Sequence, residues 1–160
     1  MSRFQLQHNS TQRGFTLVEL VMVMVIIGTL SAIAITKFNP GSFEITADSG
    51  ELVSAIRYAQ EKSMSNTGAT DYQIVIGAGG YTVQLQGGGS VPHPVTGAAS
   101  YSSNWSNVTL SPTGTITFDG YGEPSLSGSL AFSGNQEVIT VAVGSENRTI
   151  AVEQTTGFVR

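Results

Sequence analysis

The residues able to do chemistry are few and scattered. His8 and His93 are the only imidazoles and there is no cysteine, so zinc–thiolate sites, thiol nucleophiles and disulfide frameworks are excluded. His93 stands between Pro92 and Pro94 in a Gly-rich stretch, the setting of a solvated loop side chain rather than of the base in a triad. Asp119 and Glu123 are separated by a segment containing Gly120 and Gly122. Gly turns let carboxylates converge on calcium, but this spacing is not that of an EF-hand loop, and a plain strand-connecting turn is the expected use. Nothing nominates a pair of acids for glycoside hydrolysis. Tyr101, Trp105 and Tyr121 could form a stacking surface for a sugar or a base, although packing on a sheet is the commoner use of such rings. No catalytic residue, metal site or cofactor is expected, and the chain is not expected to be an enzyme. One ionisable group stands apart. Glu19 interrupts the longest apolar run, where a charge is expensive and marks a function or a specific partner.

The elements that must position these groups begin with that run. Leu20 to Thr36 holds no charge, and Phe15 to Val18 extends the run on the other side of Glu19. About 21 helical positions cover roughly 32 Å, close to the thickness of a bilayer's hydrocarbon core. A helix buried in a soluble core would show a polar face; this one offers only Glu19, Gly28 and a few hydroxyls. Arg3 and Arg13 precede the run and only Lys37 follows closely, before Glu44, Asp48 and Glu51, so the N-terminus is expected in the cytoplasm. Ser31, Ala32 and Ala34 could imitate the cleavage site of a secretory signal, which leaves that alternative open from the apolar run alone.

The chain has 160 residues, enough for one globular domain. Only 11% of them are charged, with a formal net of −4, which excludes a highly charged disordered chain and a basic nucleic-acid module. Pro40 and Gly41 are expected to kink or end the first helix. Helical periodicity resumes over residues 42–66, with Leu52, Ile56, Ala59 and Ser63 on one face beside Val53 and Gln60, Ser42 as the expected cap, and Asn66 with Gly68 at the exit. Beyond Gly68 short strands are expected at 71–76, 81–86, 105–110, 115–118, 130–132, 137–143, 148–152 and 158–159, with Gly77 to Gly80 as a hairpin turn. Residues 87–104 read as a long loop, a place where function often lies. The fold class is α+β: a long N-terminal apolar helix followed by a small antiparallel β-domain over residues 67–160.

Arg13-Gly14-Phe15-Thr16-Leu17-Val18-Glu19-Leu20 resembles the processing site of the type IV pilin superfamily. The resemblance implies that a prepilin peptidase removes the basic leader 1–14, cutting between Gly14 and Phe15. It also implies that Phe15 becomes an N-methylated N-terminus and that Glu19, fifth in the mature chain, meets the charged N-terminus of a neighbouring subunit during assembly. Phe15 lies about 6 Å along a helix from Glu19, so its own amine is a second partner, and a carboxylate reaching to the membrane interface is a third reading. Loss of Arg3 and Arg13 would take the net charge from −4 to −4 − 2 = −6. Residues 15–39 would then form the membrane and filament-core half of a helix whose outer half is 42–66.

Thr36-Lys37-Phe38 is similar to the end of this stretch in pilins of the mannose-sensitive haemagglutinin type. Arg57-Tyr58-Ala59-Gln60, Phe118-Asp119-Gly120-Tyr121-Gly122-Glu123-Pro124, and Arg148 to Val152 with Gly157 to Val159 look like FimT-like minor pilins and minor pseudopilins. The C-terminal cysteine pair of many major pilins is missing, which suits a minor role. The implied partners are other pilin subunits, the peptidase and an inner-membrane assembly platform. The implied location is the bacterial inner membrane, single-pass with a periplasmic domain, then the pilus or pseudopilus at the cell surface. Some FimT-like subunits capture DNA through a basic C-terminal region. Here Arg148 and Arg160 are the only basic residues after Lys62, with Glu146 and Glu153 nearby, so nucleic acid is not an expected partner. The alternatives are a minor pseudopilin of a type II secretion system, a pilus-tip module that binds a receptor, sugar or DNA through the 87–104 loop, and an ordinary single-pass anchored enzyme.

Overall fold

The computed structural model describes residues 14–37, 40–66 and 70–160; the leader as far as Arg13, Phe38 and Gly68 lie outside them. The chain divides into two units, Met1–Asn39 and Pro40–Arg160. The first contains α1, Leu17–Lys37. The second contains α2, Pro40–Ser65, and eight strands among the described residues.

α2 starts two residues upstream of Ser42, the residue expected to cap it. Pro40 takes the first helical position, where its fixed φ suits the helix and its missing N–H leaves no bond unmade. The periodic face enters the core as its spacing requires. Leu52, Ile56 and Ala59 are fully buried together with Ala55, while Val53 is only half-covered. Ser63 is buried too, and its Oγ accepts the Tyr72 N–H at 2.8 Å, tying the end of α2 to the first strand. Asn66 closes the helix by donating from Nδ2 to the Thr70 carbonyl at 2.8 Å.

All strand pairs are antiparallel, and they form two sheets rather than one. In the five-stranded sheet the order is β3 (Tyr101–Asn104), β2 (Gly80–Leu85), β1 (Tyr72–Gly77), β5 (Gly114–Phe118), β6 (Pro124–Gly128). In the three-stranded sheet it is β4 (Val108–Ser111), β7 (Gln136–Val143), β8 (Glu146–Glu153). α2 packs on strands of both. Alternation does the sorting: Ile74, Ile76, Val83, Ile116 and Phe118 face inward from one sheet, and Leu110, Ile139, Val141, Ile150 and Val152 from the other. The β1–β2 hairpin pairs Gly77 with Gly80. At Gly80 a Cβ would run into the Ser103 carbonyl of β3, so this close approach requires glycine. The turn's carbonyls also stitch the sheets together, since Gly79 O accepts from Trp105 N and Ala78 O from Leu110 N, both at 2.7 Å.

Several strand expectations need correction. Leu130 to Phe132 form no strand: Leu130 is a buried plug, and the Ala131 N–H bonds the buried Glu137 carboxylate at 3.2 Å instead of a ladder partner. The strand expected from Trp105 begins only at Val108. The stretch 87–104 contains β3, and β6 lies after the Asp119–Glu123 turn in a segment for which no strand was expected. Both carry hydroxyl-rich sequences, β3 with Tyr101 inward and β6 with Pro124 and the half-buried Leu126, too little apolar alternation to register as strand. Phe158 and Val159 pair with the edge of β8 through a single bridge, Val152 to Val159.

Candidate functional site

Gly14, Phe15 and Thr16 precede α1 without regular structure. Phe15 is 84% exposed, and among the described residues nothing beyond its chain neighbours lies within 4 Å of where a Cβ at Gly14 would sit. Gly14 and Phe15 are thus both exposed among the described residues. Thr16 is the cap that the sequence reading missed. Its Oγ1 accepts the Glu19 N–H at 3.2 Å, and its carbonyl accepts the Leu20 N–H at 3.2 Å. Thr16-x-x-Glu19 has the spacing of a capping box, which was the available signal. The Glu19 side chain makes no hydrogen bond or ion pair among the described residues, so half of that box is unmade and the carboxylate is free for another partner.

α1 offers apolar surface all round. Large hydrophobic side chains from Leu17 to Ile35 are exposed, and none of the candidate span Leu17–Ile35 is buried inside the molecule. The hydroxyls of Thr29 and Ser31 need no water, because Thr29 Oγ1 donates to Ile26 O at 2.9 Å and Ser31 Oγ to Ile27 O at 2.7 Å. That is how hydroxyls are accommodated where water is absent. The helix is long and apolar enough to cross a bilayer.

In the Pro40–Arg160 unit, three segments singled out in the sequence converge. Arg57 Nη2 donates to Val159 O at 2.8 Å. Gln60 Nε2 donates to Gly122 O at 3.0 Å and to Thr156 O at 2.7 Å, so one amide joins α2, the turn after β5 and the turn after β8. Gly122 and Gly157 both hold positive φ, 82° and 63°, and a Cβ at Gly157 would press on the Gln60 amide, the Gly122 carbonyl and the Phe118 ring. Asp119 uses Oδ1 to accept the N–H groups of Tyr121 and Glu123 at 2.9 and 2.8 Å. Its carboxylate thus closes the turn, and no metal-binding group of three or more His, Asp or Glu occurs among the described residues. Tyr121, at the tip of that turn, is 94% exposed.

The other two aromatic candidates belong to a packed cluster. Tyr101 meets Tyr58 and Tyr81 edge-on at 5.3 and 6.0 Å, and Tyr81 meets Trp105 at 5.6 Å, all within the range of favourable ring pairs. Tyr81 donates its hydroxyl to Glu51 Oε1 at 2.8 Å. Burial, then that carboxylate, push the Tyr81 phenol far above its ordinary value; burial is also the main cause that raises Tyr101. His93 lies partly exposed in a loop, and its ring has partners there. Its ring lies 4.4 Å from Tyr101, and Nδ1 accepts the N–H groups of Val95 and Thr96 at 3.1 and 3.3 Å, which folds the 87–104 segment back on itself.

Comparison with known protein families gives one match: residues 9–35 fit the model described as the prokaryotic N-terminal methylation motif. The match places Gly14, Phe15 and Glu19 inside the motif, and with the apolar α1 it supports a type IV pilin-like or pseudopilin subunit that associates with a membrane and with other pilins. No curated protein and no solved structure matches the chain.

Proposed function

We propose that the chain is a minor pilin-like structural subunit without catalytic activity, cut after Gly14 by a prepilin peptidase and methylated at Phe15. Its α1 spans the inner membrane with the N-terminus in the cytoplasm and the Pro40–Arg160 unit in the periplasm. An assembly platform then draws it into a type IV pilus, where α1 exchanges lipid for the helices of its neighbours. The observation that carries this reading is an α1 with no buried residue from Leu17 to Ile35 and, one turn in from the exposed Gly14 and Phe15, a Glu19 carboxylate with no partner among the described residues. Two solvents in succession satisfy such a helix, and a neighbour's N-terminal amine satisfies its acid.

Replacing Glu19 by Ala tests the reading. Membrane insertion stays intact, since the substitution only adds apolar character, while the share of subunit recovered in sheared filaments falls at least about tenfold, the equivalent of one lost charge-assisted contact of about 1.4 kcal/mol or more. Incorporation equal to that of the parent overturns it.

A further inference from the structure

The two faces of the five-stranded sheet are unlike in chemistry. β1, β2 and β3 send Ile74, Ile76, Tyr81, Val83 and Tyr101 into the core. Alternation therefore turns Val75, Thr82 and Ser102 outward in one row, and Gly77, Gly80 and Asn104 outward in the next. The two rows enclose a groove of about 420 Å³, within the range of about 300–1,000 Å³ usual for small-molecule sites. Its floor at the glycines is bare backbone. Among the described residues no charged side chain lines the groove, and the Thr82 hydroxyl and the Asn104 amide have no hydrogen-bond partner. The first row runs on through Thr115 and Ser127, again without a charge, which takes it about 19 Å across the sheet at ~4.8 Å per strand. The outer edge of β3 is already in use, since the Tyr101 N–H donates to Val91 O at 2.7 Å. The open surface is thus the face and not the edge.

We propose that this groove binds a neutral sugar, and that the outward row guides the rest of a neutral glycan chain across the sheet. The proposal goes beyond the subunit reading and does not rest on it. A phosphate, a sulfate or an acidic sugar calls for a cation beside it and a basic peptide for an acid, and the lining offers neither. A lipid chain calls for apolar walls, and Val75 is the one apolar side chain that alternation turns outward there. What the lining does offer is hydroxyl and amide groups. Thr82 and Ser102 can each give and accept a hydrogen bond, and the Asn104 amide does both from one side chain, which suits a ligand built of hydroxyls. The Val75 methyls and the glycine backbone lie against the sugar's C–H groups. No aromatic ring is turned outward in these rows to stack on the sugar, so each contact is weak, and a chain of several sugars binds better than a single one.

The test uses isotope-labelled full-length chain in a zwitterionic detergent that carries no sugar. It is titrated with maltohexaose, cellohexaose and chitohexaose and, as the charged counterpart, with a hyaluronate hexasaccharide, while amide resonances are followed by NMR. At least one neutral hexasaccharide is expected to shift the amides of Thr82, Ser102 and Asn104, with a dissociation constant on the order of 1 mM. Two variants place the site. Gly77→Val fills the groove from an exposed strand end, where a Cβ meets nothing closer than the Gly80 carbonyl at 3.6 Å. Thr82→Val removes a hydroxyl and keeps the shape of the side chain. The first lowers the affinity at least about tenfold and the second about threefold, the scale of one lost hydrogen bond, with the resonances of β7 and β8 unmoved in both. Should Gly77→Val disturb β7 and β8, Thr82→Val decides. Unmoved resonances with all three neutral hexasaccharides overturn the proposal. So do equal affinity for hyaluronate, shifts confined to other surfaces of the molecule, and unchanged affinity in the variants. None of these outcomes bears on membrane insertion or on cleavage after Gly14.

Discussion

α1 and α2 are long helices that both carry carboxylates, and they differ in what surrounds them. α2 buries Leu52, Ile56 and Ala59 completely between two sheets and leaves its charges at the flanks. In α1 no residue from Leu17 to Ile35 is buried, and its one acid has no partner among the described residues. The same backbone geometry is thus covered in one case by the chain's own core and in the other left uncovered among the described residues. A helix of the first kind reports on stability, and one of the second kind on function.

Matched truncations break the comparison most sharply. Leu52→Ala opens a cavity in a filled core and is expected to cost about 2–5 kcal/mol of unfolding free energy. Leu30→Ala on α1 should leave the unfolding transition of the Pro40–Arg160 unit unchanged, as read by denaturant titration in detergent. An equal loss from both would mean that α1 is part of the core. Next in size is Gly157→Ala. A side chain there must hold a φ of 63° and displace the Gln60 amide, so about 1–3 kcal/mol should be lost on the same titration. Gln60→Ala leaves the Gly122 and Thr156 carbonyls without that donor, at about 1 kcal/mol.

The smallest effect concerns pH. Because desolvation first, then repulsion from Glu44 and Glu51, raises the folded-state pKa of Asp48, the native state binds that proton more tightly than the unfolded chain. Its contribution is most favourable below the ordinary carboxylate range and is lost as pH rises through the folded value. Asp48→Asn removes this dependence and is expected to gain stability at pH 7, by less than about 1 kcal/mol for so partly exposed a group. A loss at pH 7 would show that Asp48 is paired within the chain.

Much of this contrast is written in the residues themselves. The charge-free run after Glu19, the apolar period of residues 52–63 and the strands with strict alternation are legible because each pattern has one geometry that buries it. Arg57, Gln60, Gly122 and Gly157 were marked on the sequence only by a resemblance, and the structure gives them a shared place: one guanidinium on α2 holds the bridged Val159 and one amide on α2 clasps two strand connections. The division into two sheets was not legible, because pairing partners such as β4 and β7 are far apart in sequence and Ser- and Thr-rich strands such as β3 and β6 draw their pairing from neighbours, not from their own alternation. The capping role of Thr16 and the loop-folding role of His93 were missed for a related reason, since both are bonds to backbone N–H groups, which any loop presents.

The central claim is that α1 is a membrane and filament helix whose mature chain starts at Phe15. Intact-mass and N-terminal fragment spectra of the protein taken from native membranes test it most directly. The account predicts a chain lacking residues 1–14 with one added methyl group on the Phe15 amine, retained in the membrane fraction. A water-soluble chain that keeps its first fourteen residues, or one cut after Ala34, would contradict it.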